Sequence, residues 1–175
     1  MSFKQRLENE YCKATIHTIV NEICDHPEKM NELMQTFVDG PLRVTQRAAW
    51  PLGFIAQRQP ALLSNYYDIL IEELHKENNH DAITRNILRA LQYTKIPKKY
   101  QGTILNRCFE FLHDSSQPIA IHAFSMTVAF NLSKLYPDII PELKSTIEMM
   151  LPNGSAGIKS RGNKILRQLN KLTNK

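Results

Sequence analysis

The chain has 175 residues, of which 42% are hydrophobic, so it has enough apolar material for the core of one domain and is not predicted to be disordered. No apolar run approaches the ~20 residues that a membrane-spanning helix requires. The N-terminal sequence places charges where a signal peptide has its apolar region, and the three cysteines are odd in number and far apart. We therefore expect a cytoplasmic protein with reduced thiols.

The net charge of +5 is unevenly distributed along the chain. All 17 acidic residues lie at or before Glu148, and the residues after it contribute only basic groups. These basic residues are Lys159, Arg161, Lys164, Arg167, Lys171 and Lys175. The body of the chain is thus close to neutral, and its C-terminal segment is basic.

Apolar residues recur at helical spacing throughout the chain, whereas the alternation typical of strands is nearly absent. The apolar pattern within residues 1–26 predicts one N-terminal helix, with a stripe of Ile16, Ile19, Val20 and Ile23. Later stripes are Ile69, Leu70 and Leu74; Ile104, Leu105, Phe109 and Leu112; and Ile140, Leu143, Ile147 and Leu151. Because proline and glycine separate the stripes at short intervals, we predict helical hairpins joined by short turns.

The last predicted helix runs over residues 158–172 and is amphipathic. Its apolar face contains Ile158, Ile165, Leu169 and Leu172, and its basic residues are Lys159, Lys164, Arg167 and Lys171. A polar outer face is what the terminal repeat of a stacked array needs. The same basic residues are also a candidate surface for an anionic partner.

A period near 38 residues organises the chain. Arg47, Arg85, His122 and Arg161 follow one another at intervals of 38, 37 and 39 residues, each near the start of a predicted helix. A polar turn residue lies eight positions before each of them, namely Asp39, Glu77, Asp114 and Asn153. Two helices in each period of this length are typical of helical solenoids.

The repeat resembles the HEAT family, and the best match is FVDGPLRVTQRAAWPLGFIA, with Asp39, Val44, Ala48 and Leu52 in the expected positions. A second match is FLHDSSQPIAIHAFSMTVAF, whereas Asn86 stands where the family has a small apolar residue. The resemblance implies an all-α fold, a right-handed α-α superhelix of the armadillo type. We place repeats at about 28–60, 61–97, 98–137 and 138–172 of a single domain, with residues 1–26 as an N-terminal cap.

The second helices of a solenoid line its concave face, so we predict a binding surface there. Its candidate residues are Arg47, Trp50, Arg85, Arg89, His122 and Arg161. Such a row of cations suits phosphates or an acidic peptide. The alternative is that each cation contacts the acidic turn of its own or the next repeat and holds the repeats together.

No catalytic, cofactor-binding or metal-ligating residues are predicted. Two Glu-x-x-His pairs, Glu72 with His75 and Glu110 with His113, have the spacing found in di-iron bundles. Because the two pairs are 38 residues apart, the repeat period alone explains why the motif occurs twice. We therefore predict a non-enzymatic scaffold that binds a protein or peptide, acting as a monomer or homodimer. The alternative is a nucleic-acid-binding protein, similar to the HEAT-like DNA alkylpurine glycosylases, that uses a basic groove and the basic last helix.

Overall fold

A computed structural model describes residues 1–77 and 79–173, so Lys175 of the basic segment lies outside the described residues. The described part of the chain is all-α and contains no strand. Contacts between residues divide the chain into two compact units, Met1–Lys95 and Ile96–Lys175.

The first unit contains six α-helices in its described residues, 1–77 and 79–95. They are α1 (Phe3–Asn9), α2 (Lys13–Asp25), α3 (Met30–Asp39), α4 (Leu42–Arg58), α5 (Tyr67–His75) and α6 (Asp81–Leu91). Short 3-10 turns that begin with proline, at Pro27–Lys29 and Pro60–Leu63, connect successive helix pairs. Helix α4 is central, because it packs against α1, α2, α3 and α6.

The prediction of one helix over residues 1–26 is wrong, because two helices lie there. Ser2 and Gln5 form a capping box at the start of α1, and the chain is extended at Glu10 and Cys12, which separate the two helices. The Glu10 carboxylate accepts a hydrogen bond from the Thr15 hydroxyl at 2.7 Å and fixes this break. The apolar stripe from Ile16 belongs to α2, whereas α1 buries Phe3 and Leu7.

Over residues 96–173, the part of it that the structure describes, the second unit contains four α-helices. They are α7 (Lys98–His113), α8 (Ile119–Ser133), α9 (Ile140–Met150) and α10 (Ala156–Thr173). A 3-10 turn at Pro137–Ile139 connects the two helix pairs. Helix α8 packs against α7, α9 and α10, and it is the most apolar helix of the unit, since it carries no acidic residue, lysine or arginine.

Glycine permits a close helix approach in each unit. A Cβ atom on Gly53 of α4 would lie 2.9 Å from Cδ of Arg89 on α6. On Gly162 of α10 it would lie 2.8 Å from Cδ2 of Leu151 and 3.0 Å from Cγ2 of Ile147. The first glycine therefore makes room for a cationic side chain, and the second for apolar side chains.

Candidate functional site

Arg47, on α4, is a buried side chain that contacts the N-terminal helix α1. Its guanidinium Nη1 donates to the carbonyl oxygens of Leu7 at 2.5 Å and Glu8 at 3.1 Å. These carbonyls belong to the last turn of α1, where a cation is favourable because the C-terminal end of a helix carries partial negative charge. Arg47 therefore holds α4 against α1, and its partners are backbone carbonyls rather than the acidic turn of its own or the next repeat that we considered.

Tyr11 and Trp50 form an aromatic edge beside Arg47. The Tyr11 ring lies 4.8 Å from the Arg47 guanidinium carbon, and its centroid is 5.2 Å from that of Trp50 in an edge-to-face arrangement. Trp50 is half-buried and Tyr11 is exposed. Pro51 follows Trp50 inside α4, and the helix continues past it to Arg58.

Arg89, on α6, is stacked on an aromatic ring of α4. Its guanidinium carbon lies 4.3 Å from the Phe54 ring centroid, and the side chain passes over Gly53. Phe54 also contacts His17 of α2, with ring centroids 4.9 Å apart. His17, Phe54 and Arg89 therefore link three neighbouring helices across one surface.

The arginines of α4 and α6 share this surface. Arg43, Arg47 and Arg58 are spaced with Trp50 and Phe54 at three- and four-residue steps, which places them on one side of α4. Arg85 precedes Arg89 by one helical turn on α6. We call the set of Arg43, Arg58, Arg85 and Arg89 with Tyr11, Trp50 and Phe54 the arginine face. Our sequence predictions missed Arg43, Arg58, Tyr11 and Phe54, although the spacing on α4 already indicated the two arginines and Phe54.

The arginine face lacks acidic partners. Within residues 1–77 and 79–173, none of its four arginines lies in an ion pair; Arg58 donates to the Asn21 side-chain oxygen at 2.6 Å. The acidic residues of the first unit lie mainly on other helices. Helices α3 and α5 carry Glu32, Asp39, Asp68, Glu72 and Glu73 and no lysine or arginine, whereas α4 carries no acidic residue.

In the second unit, the residues at the equivalent repeat positions are engaged internally. His122 is only 3% exposed, and its Nε2 lies 3.0 Å from the carbonyl oxygen of Asp114. Nη1 of Arg161 donates to the Thr127 hydroxyl of α8 at 2.6 Å. His122 thus contacts the turn eight residues before it, through the backbone rather than through the carboxylate.

The Asp114 carboxylate holds its own turn together. It accepts hydrogen bonds from the Ser116 hydroxyl at 2.6 Å, the Gln117 amide at 2.7 Å and the Ser116 N–H at 2.9 Å. These bonds to the ionised form lower the pKa of Asp114 to about 2. The turn between α7 and α8 is therefore held by a carboxylate that is ionised at neutral pH.

Four basic residues of α10 lie on its outer side, whereas Arg161 faces α8. Lys159, Lys164, Arg167 and Lys171 are exposed, while Ile158, Ile165 and Leu169 are buried against the neighbouring helices. Leu172, predicted for the apolar face, is 38% exposed. No aromatic residue lies on α10.

Residues of the two Glu-x-x-His pairs make local contacts within their own helices. Glu110 pairs with Arg107 at 2.6 Å, and His75 Nδ1 contacts its own helix at the Ile71 carbonyl. In the described part of the chain, no group of three or more histidine, cysteine or acidic residues is arranged to hold a metal ion. The three cysteines are free, and burial raises the pKa of Cys108 to about 12.

A family model described as a HEAT repeat domain matches residues 3–169. The chain belongs to this family. The comparisons with curated proteins and with solved structures found no match. Membership of the HEAT repeat family confirms the resemblance and the all-α fold that the 38-residue period predicted. Among the described helices of this HEAT repeat domain, none has the length and apolar character to span a bilayer.

Proposed function

We propose that this HEAT repeat domain is a non-enzymatic scaffold of the cytoplasm that binds an acidic segment of a partner protein on the arginine face. The observation that carries the proposal is the presence of four arginines on one surface with no acidic partner in the described part of the chain. Guanidinium groups without an ion-pair partner suit carboxylates, which they bind through two parallel hydrogen bonds. The neighbouring Tyr11 and Trp50 add partly exposed aromatic area, which is enriched in protein interfaces.

The aromatic contacts favour a protein over a nucleic acid. Proteins that bind single-stranded nucleic acids without sequence preference use aromatic rings on which the bases stack. Here Tyr11 already contacts Arg47 and Trp50, and Phe54 already contacts His17 and Arg89. The exposed cations of α10, which lacks aromatic residues, are the specific feature that would support the nucleic-acid alternative.

A binding assay with two probes separates these functions. We would measure fluorescence anisotropy with a labelled peptide of alternating glutamate and leucine and with a labelled single-stranded DNA. The Arg85→Gln/Arg89→Gln variant should weaken peptide binding about tenfold or more, the equivalent of ~1.4 kcal/mol. Lys164→Gln/Arg167→Gln removes the same charge from α10 and should leave peptide binding unchanged.

Two outcomes contradict the proposal. One is equal loss of peptide binding in both double variants, since that is an effect of net charge rather than of the arginine face. The other is DNA binding that is tighter than peptide binding, falls steeply with salt and is lost in the α10 variant, which would establish the nucleic-acid alternative. A tagged pull-down from host lysate, with and without nuclease, then identifies the partner as the protein that survives nuclease and is lost in Arg85→Gln/Arg89→Gln.

A further inference from the structure

The outer side of α10 carries a row of positive charges. Lys164, Arg167 and Lys171 follow one another at three- and four-residue steps, which places them within about 60° of one another around the helix axis. Lys159 begins the row, so the four cations extend over about 18 Å of helix length. We call these four exposed residues the basic face of α10.

The cations of the basic face have no counter-ions. In the part of the chain that the structure describes, none of them lies in an ion pair, and α10 carries no acidic residue. Arg167 donates from Nε to the Asn163 carbonyl of its own helix at 3.2 Å, which leaves its charge uncompensated. Lys144 of α9 donates to the Thr173 hydroxyl at 3.3 Å, so the C-terminal end of α10 gains a further cation rather than a carboxylate.

The stability of the helix does not explain this arrangement. Like charges four residues apart, such as Arg167 and Lys171, destabilise a helix. Lys159 lies near the N-terminal end of α10, where the helix dipole favours an acidic residue over a cation. Solubility is served equally well by lysines mixed with glutamates. Because an anionic partner would relieve both unfavourable interactions, the basic face indicates a binding surface.

The residues between the cations indicate which anionic partner fits. They include the polar residues Ser160, Asn163, Gln168 and Asn170, and no aromatic residue lies on α10. Protein interfaces are depleted in lysine and depend on aromatic or apolar anchors, and single-stranded nucleic acids bind to aromatic rings. A bilayer with anionic lipids requires neither, because the charge of its surface attracts basic residues. Three of the four cations are lysines, whose compact charge needs no fixed partner geometry.

We propose that the basic face of α10 binds the surface of membranes that contain anionic phospholipids. Its side chains approach the phosphate and carboxylate groups of the lipids, while Ile158, Ile165 and Leu169 stay buried in the second unit. The protein therefore lies on the bilayer without inserting into it, and binding weakens as salt screens the charges. This surface shares no residue with the arginine face, so the two proposals stand or fall separately.

Co-sedimentation of the full chain with vesicles tests the proposal. We would compare phosphatidylcholine vesicles with vesicles that contain about 30% phosphatidylserine, at about 0.1 M salt. Only the second kind should bind, and Lys164→Gln/Arg167→Gln should weaken binding about tenfold or more. Lys4→Gln/Lys13→Gln removes the same charge from exposed positions of α1 and α2 and should leave binding unchanged. Absent binding, equal binding to both kinds of vesicle, or equal loss in the two variants overturns the proposal.

Two further variants separate a membrane from other anionic partners. Lys164→Arg/Arg167→Lys keeps the charges and changes their geometry, so it should retain vesicle binding, and a loss would indicate a partner with a fixed carboxylate instead. Arg85→Gln/Arg89→Gln should also retain vesicle binding, and a loss equal to that in Lys164→Gln/Arg167→Gln would contradict a site on α10. Duplex DNA that binds more tightly than the vesicles, and is lost in Lys164→Gln/Arg167→Gln, would assign the basic face to a nucleic acid.

Discussion

The two units differ at the repeat position through Arg85, because Arg47 is hydrogen-bonded within its own unit as His122 and Arg161 are. In residues 1–95, the position holds Arg47, which is buried against the end of α1, and Arg85, which is half-buried and has no ion-pair partner among the described residues. In residues 96–175, it holds His122 and Arg161, both hydrogen-bonded within their unit. The comparison teaches that the spacing of the internal repeat determines where a side chain lies in its helix pair. The contacts of that side chain depend on which backbone carbonyls or hydroxyl groups lie next to it.

The largest effect should come from breaking the contact of Arg47 with α1. Arg47→Ala removes two hydrogen bonds from a charged donor and leaves the Leu7 and Glu8 carbonyls unpaired, so the free energy of unfolding should fall by about 2–3 kcal/mol. Urea denaturation measures it. Arg43→Ala, at an exposed position of the same helix, should change stability by less than about 0.5 kcal/mol. Equal losses of unfolding free energy in the two variants would show that the hydrogen bonds of Arg47 to α1 do not stabilise the fold.

Substitution of two glycines of the second unit by alanine should change the free energy of unfolding by smaller amounts and with opposite signs. Gly162→Ala brings a methyl group against Leu151 and against Ile147, which is fully buried; crowding of about 2 kcal/mol outweighs the helix-propensity gain of up to about 1 kcal/mol, so we expect a net loss of about 1 kcal/mol. Gly102→Ala on α7 meets nothing within 4 Å and should stabilise the helix by up to about 1 kcal/mol. Thermal unfolding of both variants tests this, and a neutral Gly162→Ala would mean that α10 packs less closely than described.

The smallest effect concerns pH and the turn before His122. Because folding lowers the pKa of Asp114 from 3.8 to about 2, its ionisation stabilises the folded state above about pH 4. That contribution is lost as pH falls through about 2. Asp114→Asn should therefore lower the melting temperature at neutral pH, and the difference from the unmodified protein should shrink between pH 4 and 2. A difference that is constant over this range would exclude the carboxylate as its source.

The all-α fold was predictable because periodic apolar stripes and proline-rich turns are local signals. Helix α1 was missed although its capping box, Ser2 and Gln5, is visible in the sequence, because its apolar stripe consists only of Phe3 and Leu7. The period located Arg47 and His122 but not their partners, since the carbonyls of Leu7 and Asp114 are backbone groups present in every residue.

The stacking of Arg89 on Phe54 has a consequence for the conformational entropy of binding. A free arginine side chain samples many rotamers, and ordering such a side chain at an interface costs about 0.5–1.5 kcal/mol. Phe54 and the space above Gly53 already restrict Arg89 in the unbound protein. A carboxylate that meets this guanidinium therefore finds it oriented, and more of the hydrogen-bond energy remains as affinity.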